Sequence, residues 1–347
     1  MTFQITLKTN NQNSIYKETQ MKAIKYTSYG SPEVLKVVEL ERPLPADNEI
    51  RIRIHATTVT ATEATFRKGE PYFSRLFTGL TKPKLTTLGE ELSGVVETIG
   101  KEVTRFKVGD EVFGTAGPKF GANAEYITSS EDGVLAMKPS NMHHGEAAAS
   151  VDGFLTALPF LRDTGKIQKG QKVLIYGASG SIGSAAVQVA KYYGTDVTAV
   201  CSSSNVEWVK ALGAKHVIDY TKQDFNITGE TYDIIFDAVG KISYAESKKS
   251  LSPKGIFLEA GFSMGFLTQA LLTSLGNGKK ARTAATGLRK PEERMIDLKL
   301  LKELLESGQM KPVVDRTFPL DQIVEAHKYV DLGHKKGNVV IAIKGKE

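Results

Sequence analysis

A short glycine-rich segment carries the clearest chemistry in the sequence. The apolar run 172–176 leads directly into Gly177, Gly180 and Gly183, and a helical pattern follows. Small residues let a backbone approach a phosphate closely, and a helix amino end offers unpaired N–H groups and a positive dipole. The spacing therefore predicts a pyrophosphate-binding turn rather than a turn that only packs. The residues expected to contact the pyrophosphate are Gly177, Ser179, Gly180, Ser181, Ile182 and Gly183.

A second polar segment bears on which dinucleotide binds. Proteins that bind NAD usually place Asp or Glu about 20 residues after the turn, where it bonds the adenine ribose. Here that segment contains Ser202, Ser203 and Asn205 and no carboxylate that would repel a 2′-phosphate. The sequence therefore favours NADPH, with NADH possible. Alternatively, the segment is an ordinary polar loop that caps the next helix.

The elements around this turn alternate between strand and helix. Apolar strands are predicted at 172–176 and 196–201, and helices at 184–193 and 206–212. Continuously apolar strands separated by helices are typical of a parallel sheet covered on both faces. The sequence thus predicts an α/β protein with a doubly wound Rossmann domain.

The residues before this region follow a different pattern. Ile50, Ile52 and Ile54 alternate with polar residues, which indicates a half-buried strand. Short β runs punctuated by glycine continue to about residue 145 and indicate a mostly β, barrel-like domain. The predicted organisation is a poorly ordered extension at 1–20, a catalytic domain at 21–150 and 288–347, and a Rossmann domain at 151–287.

The bulk composition excludes several classes of protein. The 347 residues include 45 basic and 39 acidic ones, and this mild excess forms no basic block of the kind that binds nucleic acid. No apolar run is long enough to span a membrane. The single cysteine, Cys201, excludes an internal disulfide and a multi-cysteine zinc site. These features predict a cytoplasmic protein without nucleic-acid or membrane partners.

A series of motifs in order resembles the medium-chain dehydrogenase/reductase superfamily, specifically its zinc-lacking quinone oxidoreductase-like branch. The similarity covers residues 21–343, and the order and spacing of the motifs together are highly specific. The resemblance implies a GroES-like catalytic domain beside the Rossmann domain. The motifs are Gly30-Ser31-Pro32-Glu33-Val34-Leu35, Gly89-Glu90-Glu91-Leu92-Ser93-Gly94, Val108-Gly109-Asp110-Glu111-Val112-Phe113-Gly114, Leu155-Thr156-Ala157, Tyr176 to Gly183, Leu212-Gly213-Ala214 and Phe236-Asp237-Ala238-Val239-Gly240.

The resemblance also implies where zinc and the catalytic groups would lie. Thr60 occupies the place of the zinc-ligating Cys, and Glu90 that of the ligating His, so we expect no catalytic zinc. Quinone oxidoreductases commonly have Asn where this chain has Thr60, although a threonine hydroxyl can still bond a cofactor ribose or carboxamide. Tyr72 is the phenol that family position places best as a hydrogen-bond donor to the substrate. Thr60 and Tyr72 are therefore the candidate catalytic residues.

The same resemblance assigns further cofactor contacts. Thr156 is expected at the nicotinamide ribose and Tyr220 near the adenosine phosphate, and Asn338 falls where the family often has a Lys near the cofactor. The residues expected to line the nicotinamide ring are Ala238, Val239, Gly240, Ala260 and Gly261.

Three functions remain open at this level. The first is an NADPH-dependent reductase that transfers hydride to a quinone or an α,β-unsaturated carbonyl. The second is a reversible alcohol dehydrogenase, and the third is a nucleotide-binding scaffold that has lost turnover, because fold alone does not fix function.

The segment 280–285 is short and compatible with a β-strand. In the family that the chain resembles, the equivalent strand pairs with its twin, so the resemblance implies a homodimer formed through the edge of the Rossmann sheet.

Overall fold

The computed structural model describes residues 19–261 and 264–343. Contacts divide the chain into two units. Unit 1 comprises Met1–Lys138, Thr317–Leu332 and Val340–Glu347, and unit 2 comprises Pro139–Arg316 and Gly333–Val339. Most of the extension predicted at 1–20 lies outside the described residues, and the first strand begins at Gln20.

The elements alternate along the chain much as the sequence pattern indicates. The strands of the described residues are β1 (Gln20–Lys25), β2 (Lys36–Glu41), β3 (Glu49–Val59), β4 (Glu91–Ile99), β5 (Glu111–Thr115), β6 (Tyr126–Ser130), β7 (Leu135–Met137), β8 (Lys172–Tyr176), β9 (Asp196–Cys201), β10 (His216–Asp219), β11 (Tyr232–Asp237), β12 (Leu251–Glu259), β13 (Lys280–Arg282), β14 (Val314–Pro319) and β15 (Asn338–Ala342). The α-helices are α1 (Ala61–Lys68), α2 (Arg75–Thr78), α3 (His144–Ala149), α4 (Val151–Pro159), α5 (Ser181–Tyr192), α6 (Val206–Leu212), α7 (Tyr244–Ser247), α8 (Met264–Ser274), α9 (Pro291–Glu306) and α10 (Ile323–Asp331). Among the described residues, none of the helices has the length and apolar character that a membrane span requires.

Antiparallel strands dominate unit 1. A seven-stranded sheet has the order β14-β15-β3-β4-β5-β7, with β6 also paired to β3, and β1 pairs with β2 separately. Ile50, Ile52 and Ile54 are fully buried while the residues between them are half-buried, which confirms the alternating strand. Gly94 is required where β4 pairs with β3, because a Cβ there would lie 2.1 Å from the carbonyl oxygen of Arg53.

Unit 2 contains the parallel sheet that the sequence predicts. Its six strands have the order β10-β9-β8-β11-β12-β13, and all five pairs of neighbouring strands are parallel. The residues of β8 between its two ends are completely buried, as expected of a strand covered on both faces. The strand order reverses between β8 and β11, and ligands of open α/β sheets bind outside the carboxyl ends of the strands at such a point.

Unit 2 extends beyond the limits of the Rossmann domain predicted from the sequence. Residues 139–150 and 288–316 belong to it, although the sequence pattern grouped them with the first domain. Helix α9 packs against α4. Its fully buried Asp297 accepts hydrogen bonds from Arg162 and Arg289. These bonds fix α9 to the rest of unit 2, and the bond between Arg162 and Asp297 joins residues 135 positions apart in the sequence.

Replacing Asp297 with Asn should destabilise the protein by about 3 kcal/mol, because two guanidinium groups would lose the buried carboxylate that compensates them. Chemical denaturation at neutral pH measures this change. The matched control is Asp47→Asn, which removes an exposed ion pair with Lys101 and should leave the midpoint unchanged. Equal effects of the two substitutions would contradict the structural importance of Asp297.

Candidate functional site

The glycine-rich turn joins β8 directly to helix α5. Gly177 follows β8 with a φ of +75°, and a Cβ on it would lie 2.6 Å from the Val239 side chain. A Cβ on Gly183 would lie 2.1 Å from the carbonyl oxygen of Gly177. The chain itself therefore requires both glycines, since larger residues would push the helix away from the end of the strand.

Gly180 differs from the other two glycines of the turn. It is the N-cap of α5 with an ordinary φ of −82°, and the nearest atom to an added Cβ is 3.6 Å away. Apart from the carbonyl oxygen of Gly177, no atom outside the adjacent residues lies within 4 Å of this Cβ, so internal packing gives no reason for glycine at the N-cap of the twelve-residue helix. The buried hydroxyl oxygen of Ser181 has no hydrogen-bond partner among the described residues, and it packs against Gly153 of α4. An open, donor-rich helix end of this kind fits a pyrophosphate.

The loop after β9 presents the Ser202 hydroxyl, and the neighbouring Asn205 side chain is held by hydrogen bonds within the loop and with Trp208. The Asn205 side-chain amide donates to the Ser202 hydroxyl at 2.9 Å, and its oxygen accepts from the Trp208 indole at 3.0 Å. The Ser202 hydroxyl therefore accepts from Asn205, and its own hydrogen can be donated to Ser204 or to another acceptor. Its other contact in the loop is a long one, 3.4 Å to Ser204.

A carboxylate that the sequence argument missed lies beside this loop. Asp219 ends β10, and its register partner on β9 is Cys201. It accepts hydrogen bonds from the hydroxyls of Ser203 and Thr221, which hold the pKa of the carboxyl far below its usual range, and Lys222 lies 3.4 Å away. The sequence held a signal for Asp219, because it ends a strand and the carboxyl ends of neighbouring parallel strands meet at one edge of the sheet. This edge is the row of loops at the carboxyl ends of the strands.

Two other residues at this edge have distinct environments. Tyr220 is half exposed, its ring centroid is 6.4 Å from that of Tyr176, and its N–H donates to the carbonyl of Cys201. Cys201 itself is almost completely buried, and burial raises the pKa of its thiol to about 11. Tyr220 is therefore accessible from the edge, whereas the thiol is not.

The ends of β11 and β12 form the next part of the edge. The Asp237 carboxylate accepts four backbone N–H groups, from Val239, Gly240, Lys241 and Ile242, which fixes the loop after β11. The Ala260 N–H donates to the carbonyl of Asp237 at 2.9 Å. A Cβ added to Gly261 would lie only 3.6 Å from the Cα of Gly240, so the two loops lie side by side.

Glu259, which the sequence analysis did not select, lies next to these loops. It is the last residue of β12 and the register partner of Asp237, and only 8% of it is exposed. Burial and the neighbouring Asp237 raise the pKa of its carboxyl to about 7. An apolar run ending in a single acidic residue was the only sequence signal.

Thr156 and Asn338 also lie in unit 2. The Thr156 hydroxyl on α4 is 3.5 Å from the Asp152 carboxylate, which is a long hydrogen bond. Asn338 is buried, and both its backbone N–H and its side-chain amide donate to the carbonyl of Val313. Gly337 beside it donates to the carbonyl of Ser179 at 2.8 Å, so the segment around Asn338 contacts the glycine turn.

The two candidate catalytic residues belong to unit 1. Thr60 is buried at the N-cap of α1, where its hydroxyl oxygen accepts the N–H of Glu63 at 3.1 Å. Tyr72 follows the other end of this helix and is 72% exposed, with the Arg75 guanidinium 4.6 Å from its ring centroid. The structure thus places the two residues at opposite ends of α1.

A metal centre is not evident near the predicted zinc positions. The described parts of the chain contain no group of three or more His, Cys, Asp or Glu residues that could hold a metal ion. Glu90, at the place of the family His ligand, donates its backbone N–H to the Glu63 carboxylate at 3.3 Å.

Two family models match the chain. Residues 46–139 match the alcohol dehydrogenase GroES-like domain, and residues 212–341 match a family described as zinc-binding dehydrogenase. A 2-methylene-furan-3-one reductase from Solanum lycopersicum is 33% identical over 340 residues, covering 94% of this chain and 80% of that protein. The chain belongs to the medium-chain dehydrogenase/reductase superfamily, in its quinone oxidoreductase-like branch.

Other members of the superfamily match over similar lengths. An NADPH-dependent alkenal/one oxidoreductase of Arabidopsis thaliana chloroplasts is 32% identical and matches 94% of this chain and 80% of its own length. The structure of a quinone oxidoreductase from Coxiella burnetii superposes with a TM-score of 0.83 at 28% identity, covering 94% of this chain and all of that one. The predicted fold, a GroES-like domain with a Rossmann domain, is confirmed.

The glycines of the turn should respond differently to substitution. Gly183→Ala should cost roughly 2 kcal/mol or more of folding stability, because the new methyl group overlaps a backbone carbonyl. Gly180→Ala should leave stability within about 0.5 kcal/mol of the wild type, yet weaken dinucleotide binding because the methyl group enters the open space. Denaturant unfolding and fluorescence titration measure the two effects. Unchanged binding by Gly180→Ala would contradict the assignment of this space to a pyrophosphate.

Proposed function

We propose that this protein is an NAD(P)H-dependent oxidoreductase that transfers hydride to a quinone or an α,β-unsaturated carbonyl compound. The observation that carries the proposal is the open space at Gly180, in front of the amino end of α5 at the switch point of the parallel sheet. The names of the relatives, reductases of enones and quinones, support the substrate class.

The residues proposed to hold the cofactor all lie in unit 2. The bound nicotinamide cofactor supplies the hydride, and the protein supplies position and electrostatics. The glycine turn would bind the pyrophosphate and the β9 loop with Tyr220 the adenosine end, while the ends of β11 and β12 would line the nicotinamide ring. The proposed contacts are Thr156, Gly177, Ser179, Gly180, Ser181, Ile182, Gly183, Ser202, Ser203, Asn205, Tyr220, Ala238, Val239, Gly240, Ala260, Gly261 and Asn338.

A preference for NADPH over NADH is the finer part of the proposal. It is supported by the Ser202 hydroxyl, which can donate its hydrogen to a 2′-phosphate in place of the long contact with Ser204. Asp219 opposes it in charge, but its carboxylate is already engaged by two hydroxyl groups and by Lys222. The negative charge near the 2′-position is therefore partly compensated.

On the substrate side, we propose that the reaction proceeds without zinc. A hydroxyl at Thr60 and a carboxylate at Glu90 are poor replacements for the thiolate and imidazole that hold zinc. The electron pair that reaches a quinone or an enone is delocalised in the product, so hydrogen-bond donors suffice to stabilise it. The Thr60 hydroxyl, whose oxygen caps α1, retains its hydrogen for this role, and the exposed Tyr72 phenol is the second candidate donor.

The direct test is the consumption of NADPH with a panel of quinones, enones, aldehydes and alcohols, with and without a strong zinc chelator. We expect turnover with quinones or enones that the chelator does not change. Turnover confined to alcohols and aldehydes would instead favour an alcohol dehydrogenase. Cofactor binding without any turnover would favour a nucleotide-binding scaffold, and chelator-sensitive turnover with stoichiometric zinc would refute zinc independence.

Replacing Ser202 with Asp should shift cofactor preference towards NADH. A carboxylate at this position repels the 2′-phosphate and can bond the ribose hydroxyls, so we expect the ratio of Kd for NADPH to Kd for NADH to rise at least tenfold, a change of about 1.4 kcal/mol. Fluorescence titration of both cofactors gives the ratio. Tighter binding of NADH than NADPH by the wild-type protein would overturn the proposed preference.

We also propose a homodimer formed at the β13 edge of the parallel sheet. β13 is the last strand of the sheet order, and the Thr273 side chain of α8 covers its middle residue: the Ala281 N–H donates to the Thr273 hydroxyl at 3.0 Å. The adjacent helix α8 exposes Leu271 and Leu272, which are 68% and 73% exposed, whereas its Phe266 is buried in the core. Exposed leucines beside the last strand of the sheet suit an interface with a second copy.

We propose a cytoplasmic location on separate grounds, because the single thiol Cys201 suits a reducing compartment.

Replacing Leu272 with Glu should weaken this dimer, because a charge would have to be buried in the interface. Light scattering across micromolar concentrations should show the dimer mass for the wild type and a shift towards the monomer for the variant. Leu44→Glu is the matched control in unit 1, where Leu44 is 83% exposed, and should leave the mass unchanged. A monomeric wild type would refute the proposal.

A further inference from the structure

Glu259 is a buried carboxyl group at the proposed nicotinamide end of the cofactor site. Its Oε1 atom would lie 3.2 Å from a Cβ added to Gly261, so the carboxylate is directed along the wall that Gly261 and Gly240 form. Asp237 accepts four N–H groups, whereas no hydrogen bond joins the Glu259 carboxyl group to another described residue. A desolvated carboxyl group without donors is held neutral more readily than one with donors.

The charges around Glu259 come mainly from one neighbour. On β11, the register partner Asp237 lies on the same face of the sheet, and Tyr176 of β8 is the next residue in this row. Directly after β13, the Thr283 hydroxyl donates to the Glu259 backbone carbonyl. Arg282 of β13 pairs with Leu258 and so lies on the opposite face.

Helix α7, which also packs against β12, contributes two titratable groups. The Tyr244 hydroxyl donates to the carbonyl of Lys279, and hydrogen bonds from Ser243 lower the pKa of Glu246. None of these groups is a cation that could hold Glu259 ionised, and the negative charge of Asp237 acts in the opposite direction. Burial, followed by Asp237, therefore raises the pKa of Glu259 to about 7.

We propose that Glu259 distinguishes the two redox forms of the cofactor, so that the oxidised form binds with Glu259 ionised and the reduced form with Glu259 protonated. This inference rests on the proposed function. The nicotinamide ring is positively charged when oxidised and neutral when reduced. A positive ring beside the Gly240–Gly261 wall supplies the compensating charge that the protein lacks, whereas a neutral ring only excludes water further.

The sign of the pH dependence follows from this linkage. Binding of the oxidised form lowers the pKa of Glu259 below its value of about 7 in the free protein, and therefore releases a proton. Affinity for the oxidised form rises with pH until Glu259 is ionised in the free protein as well. Affinity for the reduced form stays constant or falls over the same range. Reciprocity requires the proton and the cofactor to influence each other by the same factor.

The test compares dissociation constants for NADP⁺ and NADPH between pH 6 and 8.5 by fluorescence or calorimetry. We expect the ratio of Kd for NADP⁺ to Kd for NADPH to fall about fivefold as pH rises. If the pKa of Glu259 differs by one unit between the two complexes, the ratio changes at most tenfold. Both forms carry the same 2′-phosphate, so its titration cancels in the ratio. Calorimetry in two buffers of different ionisation enthalpy should show greater proton release with NADP⁺ than with NADPH.

The variant Glu259→Gln keeps the shape of the protonated side chain and removes its titration. It should bind both forms at every pH as the wild type does at pH 6, an expectation that a misfolded variant could not meet. Glu230→Gln is the matched control, because Glu230 is exposed and pairs with Lys172 at the start of β8. This ion pair lies at the amino ends of the strands, away from Glu259. The control should retain the full pH dependence.

The outcomes separate this inference from the proposed function. Binding of both forms with a pH-independent ratio, or an unchanged pH dependence in Glu259→Gln, would overturn the role of Glu259 and leave the proposed function intact. Failure of the wild type to bind either form would refute the proposed function, and this inference with it.

Discussion

The close approach of helix α5 to the end of β8 is the constraint on which the candidate site depends. Gly183 allows it, because any side chain there would meet the carbonyl of Gly177. The contact aims the amino end of the helix at the edge of the sheet where the loops after β9, β11 and β12 also lie. The proposed pyrophosphate position at the helix end and the three loops are thereby held in fixed places relative to each other by the fold of unit 2 itself.

Carboxyl groups at this edge have opposite electrostatic environments although they stand on adjacent strands. Hydroxyl donors keep Asp219 ionised, and four backbone donors oppose the effect of burial on Asp237. Glu259 has burial without donors. The sheet therefore places a permanent negative charge near the proposed adenosine end and a titratable group near the proposed nicotinamide end. The two ends of a dinucleotide would meet chemically different surroundings.

The sequence predicted the local structure of unit 2 closely and its longer-range packing less well. The strands 172–176 and 196–201 have the predicted limits, since burial on both faces demands continuous apolar runs and glycines mark where they stop. The placement of α9 was not predictable. Its amphipathic pattern indicates that one face of the helix is buried, but not which element of the fold that face packs against. Asp297 decides that question through two arginines, one of them distant in sequence.

The candidate site shows the same division. Motif spacing located the glycine turn, and the geometry of Gly180 fits the predicted pyrophosphate. The neighbourhood of the second loop was incomplete, because Asp219 reaches Ser203 only through strand pairing of β9 with β10. Glu259 could not be selected for a similar reason, since its environment is created by a register partner 22 residues earlier in the chain, at Asp237.

The burial of Cys201 has a practical consequence for following motion in this protein. Its thiol is the only one in the sequence, and with a pKa of about 11 it is almost never a thiolate at neutral pH. Maleimide or spin-label chemistry would therefore pass over the native chain. A cysteine introduced at any exposed position would be the one reactive handle, so fluorescent or paramagnetic reporters can be attached one site at a time without first engineering away a background thiol.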